Sequence, residues 1–267
     1  MAFDFNQDYD LWHTFSPGFW QQDIMTFPLE GAVDYLLEHN YTHRGKPLFP
    51  FNNESRTSTN TSFTPSVTEM TYGTVAVTLA LFAGLDSVYG SDFDVEIYPR
   101  LSGYFHTFGW TAVMTSVLKN SFQRKRPFYD TNTITESDNL LREDRKSFVS
   151  GHVSQAFAFA TYTTMMIYDV TNDPIVTACY GLATHVLAGY IGYTRIANSN
   201  HDIIDVIGGG LVGSALAFYI SLRTSETLSK LSKQEFSKFT LEPNLEVVKL
   251  ENNQYDYGVN IHAVYRF

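Results

Sequence analysis

His201 and Asp205 stand four residues apart, the spacing that brings two side chains to one side of a helical turn. A carboxylate there can accept from one imidazole nitrogen, fix the tautomer and leave the other nitrogen to attack an electrophile. Asp202 is nearer in sequence, but consecutive helical residues diverge by about 100° and do not face each other. Upstream, Ser150-Gly151-His152 opens HVSQAFAFATYTTMMIYDV, a run with few breakers that reads as a largely buried helix. Ser150 is then its N-cap, and the N–H groups of the first turn, with the positive end of the helix dipole, suit an anion. Gly151 lets backbone approach a ligand closely, and His152 can hand a proton to a leaving group. Lys119 and Arg126 are seven residues apart, close to two helical turns, so both project from one face as a cationic clamp. Pro127 cannot continue a helix and puts Arg126 at an element end beside a loop. With Arg195, these residues form a phosphoryl-transfer inventory: cations and N–H donors for a group carrying about two negative charges, two imidazoles and an orienting carboxylate.

The blocks read KNSFQRKRP, VSGH and TRIANSNHDIID, and their order and internal gaps resemble the signature of the type 2 phosphatidic acid phosphatase superfamily. That superfamily also contains the class A acid phosphatases and the vanadium-dependent haloperoxidases. Its pattern is Lys, six residues, Arg-Pro; then Pro-Ser-Gly-His; then Ser-Arg, five residues, His, three residues, Asp. The resemblance covers residues 119 to 205 and implies roles at each matching position. Lys119, Arg126 and Arg195 would bind the phosphoryl oxygens, with Ser150 and the Gly151 N–H completing the cradle. His201 would attack phosphorus to form a phosphohistidine, Asp205 would orient it, and His152 would protonate the leaving oxygen and later activate water. Val149 departs from the pattern's proline and Thr194 from its serine, the first costing rigidity and the second keeping a hydroxyl. The resemblance further implies catalysis without a metal, on a phosphate monoester or a lipid or isoprenoid (pyro)phosphate, with vanadate as an inhibitor. The alternative is a vanadium-dependent haloperoxidase, for which vanadate would be the cofactor. An alternative of another class is a non-catalytic anion-binding envelope protein, against which the intact His152, His201 and Asp205 argue.

Charge supports a small anionic ligand. The chain carries a formal net charge of -10, yet residues 119 to 146 hold seven Lys or Arg against five Asp or Glu. A basic pocket in an acidic protein repels a polyanion, so nucleic acid is excluded as a partner.

The elements that must position these groups read as helices. At 267 residues the chain can bury one good core, and 44% hydrophobic residues with 15% aromatics is close to soluble composition. We expect an all-α bundle of the acid phosphatase or haloperoxidase type, with a C-terminal β-hairpin. Apolar segments at 70–85, 101–118, 152–168, 174–194 and 206–222 are candidate membrane spans, which need about 20 mostly apolar residues. Most are short or studded with polar residues, and the reading is buried helices of a soluble bundle, with peripheral membrane contact as the lipid-facing option. Residues 1–66 form an aromatic-rich, irregular N-terminal segment packing on the core, residues 67–236 the helical core and residues 237–267 the hairpin. A Ser/Thr/Asn loop at 55–66 includes sequons at Asn53 and Asn60. Residues 128–147 join the first two blocks at the pocket mouth. In the tail, residues 246–250 and 257–267 read as strands, with Val259, Ile261, Ala263, Tyr265 and Phe267 alternating with polar residues. Cys179, the single cysteine, sits in an apolar run and reads as an inert buried thiol. MAFDFNQDYD has neither a basic n-region nor an apolar h-region. The expected location is the bacterial periplasm or envelope, as a mature form, with the cytoplasm as the alternative.

Overall fold

The computed structural model describes residues 20–39, 67–89, 97–127, 145–233, 240–249 and 255–264. Six helices follow in order: α1 (Trp20–His39), α2 (Val67–Tyr89), α3 (Tyr98–Phe122), α4 (Gly151–Thr171), α5 (Pro174–Ala197) and α6 (Ile203–Lys233). The chain divides into two compact units, Met1–Thr227 and Leu228–Phe267. In the second, β1 (Thr240–Lys249) runs antiparallel to β2 (Tyr255–Val264), Thr240 opposite Val264 and Lys249 opposite Tyr255. The helical part of the expected fold is what the structure supports. A hairpin packed on that bundle is not supported, since the strand pair belongs to the separate unit. Its side chains, the sequons, the 55–66 loop and residues 128–144 lie outside the described residues.

Local signals explain where the helices reverse. Asn172 adopts the left-handed conformation, φ 47°, and its N–H closes α4 on the Tyr168 carbonyl at 2.8 Å. Asp173 then caps α5, its Oδ1 accepting from the Ile175 and Val176 N–H groups at 2.8 and 3.2 Å, and Pro174 occupies the first helical position. With only these two residues between them, α4 and α5 fold back as antiparallel neighbours. At the other end, α5 and α6 are joined across residues 198–202. The ends of α3 and α5 and the starts of α4 and α6 therefore carry the three sequence blocks.

α4 is the central helix. Val153, Ala158, Ala160, Tyr162 and Met166 are buried along it, and Phe82 from α2, Tyr104 from α3 and Ala217 and Ile220 from α6 pack into one cluster with Ala158, Tyr162 and Met166. α6 meets α4 through glycines. A Cβ on Gly209 would lie 2.7 Å from the Ser150 carbonyl oxygen, and one on Gly213 only 2.0 Å from that of Ser154. The two backbones touch there, which only the absence of side chains permits.

The expected irregular N-terminal segment is corrected over residues 20–39, which form α1. This helix lies parallel to α3: Asp23 meets Tyr98 and Ser102, Glu30 meets His106, Asp34 meets Ser116 and the Leu37 carbonyl meets Asn120. The buried ring of His106 bridges Asp23 Oδ1 at 2.9 Å and Glu30 Oε1 at 2.6 Å. Two carboxylate acceptors require two N–H donors, so the ring is held as an imidazolium between them.

The expectation that the apolar segments are buried helices is corrected for two of them. In α5 the inward residues are small, Gly181, Ala188, Gly192 and Thr194, while Ile175, Leu182, Val186, Leu187, Tyr190 and Tyr193 face outward. α6 has Ala217, Gly209 and Gly213 inside, beside the core residue Ile220, and Ile204, Ile207, Leu211, Phe218 and Leu222 outside. Leu182 is 69% exposed and Leu211 68%. Pro174–Ala197 and Ile203–Ser229 are both long and apolar enough to cross a membrane. Cys179 is exposed, not buried. An apolar run specifies that a helix avoids water, and it does not specify whether protein or lipid surrounds it.

Because Gly213 lies against backbone, Gly213→Ala should force α4 and α6 apart and destabilise the fold by about 3 kcal/mol, the upper end of ordinary overpacking. Denaturation of the purified protein checks this; an unchanged midpoint would refute the close packing.

Candidate active site

α3 ends where Gln123 turns left-handed, φ 49°, its N–H bonding the Lys119 carbonyl at 3.0 Å. Lys119 is thus in the last helical turn, and Arg126 lies beyond it on a non-helical segment. The expectation that both project from one helix face is corrected, because the left-handed residue redirects the chain between them. Lys119 instead approaches the start of α4: its Nζ would lie 3.4 Å from a Cβ placed on Gly151.

At that start, Ser150 has extended φ and ψ and occupies the N-cap position, yet its side chain makes no capping bond. Its buried Oγ has no hydrogen-bond partner among the described residues. Such a group is costly unless something polar meets it, which is what a phosphoryl oxygen would supply. His152 follows in the first turn of α4, half-buried.

The third block closes onto the second through main chain, the Ser150 N–H donating to the Asp205 carbonyl at 3.0 Å. α6 begins at Ile203 with Asp202 as its cap, Oδ1 accepting from the Ile203 N–H at 2.7 Å. Asp205, three residues on, reaches back with Oδ2 to the Asp202 N–H at 2.9 Å. This is the back-reaching half of a capping box, while the Asp202 side chain meets the first helical N–H and not the third. His201 sits just before the helix, fully buried, its N–H 3.3 Å from the Arg195 carbonyl.

His201 Nδ1 lies 3.8 Å from Asp205 Oδ2, too far for a hydrogen bond, and Nδ1 is without a partner among the described residues. The residues the sequence reading missed explain why. Arg124 donates from Nη1 to Asp205 Oδ1 and from Nη2 to Asp202 Oδ2 at 3.4 Å, and Ser147 Oγ donates to Asp205 Oδ2 at 2.6 Å. Arg124 lies inside the first block and Ser147 just ahead of the second, with no periodicity or spacing to single them out. Only their burial beside a buried carboxylate reveals them.

Electrostatics bring the cations to the same place. Burial, with the like charges of Arg126 and Arg195, lowers the His201 pKa to about 4 against the pull of Asp205. Arg195 contributes a buried Nε that has no partner among the described residues. Lys119, Gly151 and Ser150 meet at the α4 start, and Arg126, Arg195, His201 and Asp205 meet around the histidine. The arrangement can cradle a small oxyanion in front of a neutral imidazole.

Residues 100–227 match the family model described as the PAP2 superfamily. The chain is 27% identical over 124 residues to a PA-phosphatase related-family protein of Dictyostelium discoideum, covering 44% of this chain and 46% of that one. It is 22% identical over 150 residues to lipid phosphate phosphatase 2 of Arabidopsis thaliana, covering 48% and 51%. With phospholipid phosphatase-related protein type 1 of Xenopus tropicalis it shares 28% over 94 residues, covering 34% and 29%. The chain thus spans about half or less of the length of these curated relatives. No solved structure matches it.

The lowered pKa has a direct readout. In histidine side-chain NMR, the resonance absent from His201→Gln should titrate with its midpoint near pH 4, so that the ring is neutral above that pH. A midpoint at the ordinary value of about 6.5 would refute the packing of Arg126 and Arg195 around a buried ring.

Proposed function

Residues 100–227 form a PAP2 superfamily domain, and from that premise we propose that the chain is a membrane-embedded phosphatase of lipid phosphates, acting through a phosphohistidine. One observation carries the substrate class. The cradle lies where α5 ends and α6 begins, and these are the two helices whose large apolar side chains face outward along membrane length. A phosphate ester presented to that end of the helices is one held at a membrane surface by its own apolar tail. The relatives named as lipid phosphate and PA-phosphatase proteins agree with this reading.

Lys119, Arg126, Arg195, Ser150 and the Gly151 N–H hold the phosphoryl oxygens and neutralise the charge that spreads over them in the transition state. His201, neutral above about pH 4, attacks phosphorus through Nε2 because Nδ1 faces Asp205. The bond from phosphorus to the leaving oxygen breaks as His152 protonates that oxygen. Asp205 stabilises the positive charge of the phosphorylated imidazole. His152 then takes a proton from water, whose oxygen attacks phosphorus. The phosphorus–nitrogen bond breaks and orthophosphate leaves. The cations supply the charge stabilisation in this scheme, so no metal is required.

Hydrolysis of phosphatidate in detergent micelles tests the reading. We expect turnover that persists in EDTA and is competitively inhibited by vanadate, which imitates the five-coordinate transition state. A requirement for divalent metal would overturn the mechanism.

His201→Ala should abolish turnover and leave no acid-labile phosphoprotein after a quench with labelled substrate. Asp205→Asn should cost up to about 10⁴ in kcat by the logic of a triad aspartate. A wild-type rate in His201→Ala would reassign the nucleophile, and one in Asp205→Asn would leave Asp205 a structural role only.

A further inference from the structure

Arg124 belongs to neither phosphate binding nor the surface. It is 2% exposed, on the segment just past the end of α3, whereas Arg126 and Arg195 are half-buried. Both terminal nitrogens of its guanidinium are directed at carboxylates, Nη1 at Asp205 Oδ1 and Nη2 at Asp202 Oδ2. We infer that Arg124 is a positioning residue for catalysis, which with Ser147 clamps the Asp205 carboxylate in the orientation that faces His201. The inference rests on the reading of His201 as nucleophile.

The clamp is a closed ring. The Ser147 N–H donates to the Arg124 carbonyl at 3.0 Å, so the two residues are joined through main chain before their side chains meet the same carboxylate. Asp205 then accepts from Arg124 on one oxygen and from Ser147 Oγ and the Asp202 N–H on the other. With both oxygens occupied, rotation of the carboxylate would break at least two bonds in a place where no water can replace them. Oδ2 is thereby held 3.8 Å from His201 Nδ1. A slight approach of the ring closes that gap when the imidazole becomes positively charged, which is when the interaction is needed.

The side-chain type matters as well as the charge. One planar guanidinium serves two carboxylates on adjacent nitrogens, a task for which a lysine ammonium has the charge but not the fork. Asp202, which the spacing had set aside as a partner for His201, fixes the second prong of the guanidinium.

The experiment compares Arg124→Lys and Ser147→Ala with the wild type, each also combined with Asp205→Asn, on phosphatidate in micelles. Melting midpoints are recorded, so that folding losses are separated from catalytic ones. Each single substitution should lower kcat by about tenfold or more, while KM and the vanadate inhibition constant stay within about threefold. In the Asp205→Asn background the same substitutions should cost no more than about twofold, because the group they position no longer carries its charge. Ser147→Ala removes a neutral hydroxyl and supplies the answer if Arg124→Lys fails to fold. Weakened vanadate binding with kcat retained would make Arg124 a phosphate ligand and overturn the inference. Losses that add fully to that of Asp205→Asn would overturn it too, by making the role independent of the carboxylate. A wild type that hydrolyses no phosphatidate counts against the phosphatase reading itself. An active wild type with unaffected variants counts against this inference alone.

Discussion

A carboxylate removed from water must be met on both oxygens, and Asp205, wholly buried, imposes that requirement on three separate parts of the chain. Arg124 comes to it from the end of α3, Ser147 from the approach to α4, and the Asp202 N–H from the start of its own helix. Each of these also fixes something else. Ser147 is tied to the Arg124 carbonyl, Ser150 donates to the Asp205 carbonyl, and Asp202 caps α6. The end of the bundle that carries the candidate site is consequently a polar knot in which the three sequence blocks hang from the groups that satisfy one buried charge. Loss of a partner here leaves a charge stranded, so the site and the local fold stand or fall together.

The body of the bundle follows another rule. Small residues dominate the inward faces of α5 and α6, with Ile220 the larger side chain that α6 adds to the core, and most large apolar ones face outward. Backbones can then approach closely, as Gly209 and Gly213 do against α4, and helix association relies on contact and on buried hydroxyls more than on expulsion of water. Thr163, Thr164, Thr184 and Thr224 return their hydroxyls to carbonyls of their own helices, which keeps them satisfied without water. α1 is joined to α3 largely by polar side chains, with the His106 imidazolium between Asp23 and Glu30 at one level and Asp34 on Ser116 at another. Such bonds specify register between two helices, where apolar packing alone would allow sliding.

Placing chemistry at helix ends reconciles these two regimes. The helix starts at Gly151 and Ile203 supply N–H groups and positive potential. Arg126 and Arg195 add full charges beside a histidine that their presence, together with burial, keeps neutral. An imidazole in that state has the chemistry the proposed mechanism asks of a nucleophile.

Much of this was legible in the chain itself. Helix-forming runs, the Asn172-Asp173-Pro174 reversal and the three blocks are local, so the residue types that could transfer a phosphoryl group were readable from spacing alone. Local reading failed where an outcome depended on distant partners. It put Arg126 on the Lys119 helix, because the left-handed turn at Gln123 carries no glycine to announce it. It placed Ser150 at the N-cap, where the structure has it, but could not show that its hydroxyl makes no capping bond. It paired Asp205 with His201 but gave no sign that residues 81 and 58 positions away also hold that carboxylate. It also read outward-facing apolar helices as buried ones, since periodicity shows which residues avoid water and not what surrounds them. The sequence by itself determined the reactive groups and the helices that carry them. The tertiary structure alone decided which charges are paired and which face of each helix is inside, because pairing and burial are properties of contacts between segments that no spacing encodes.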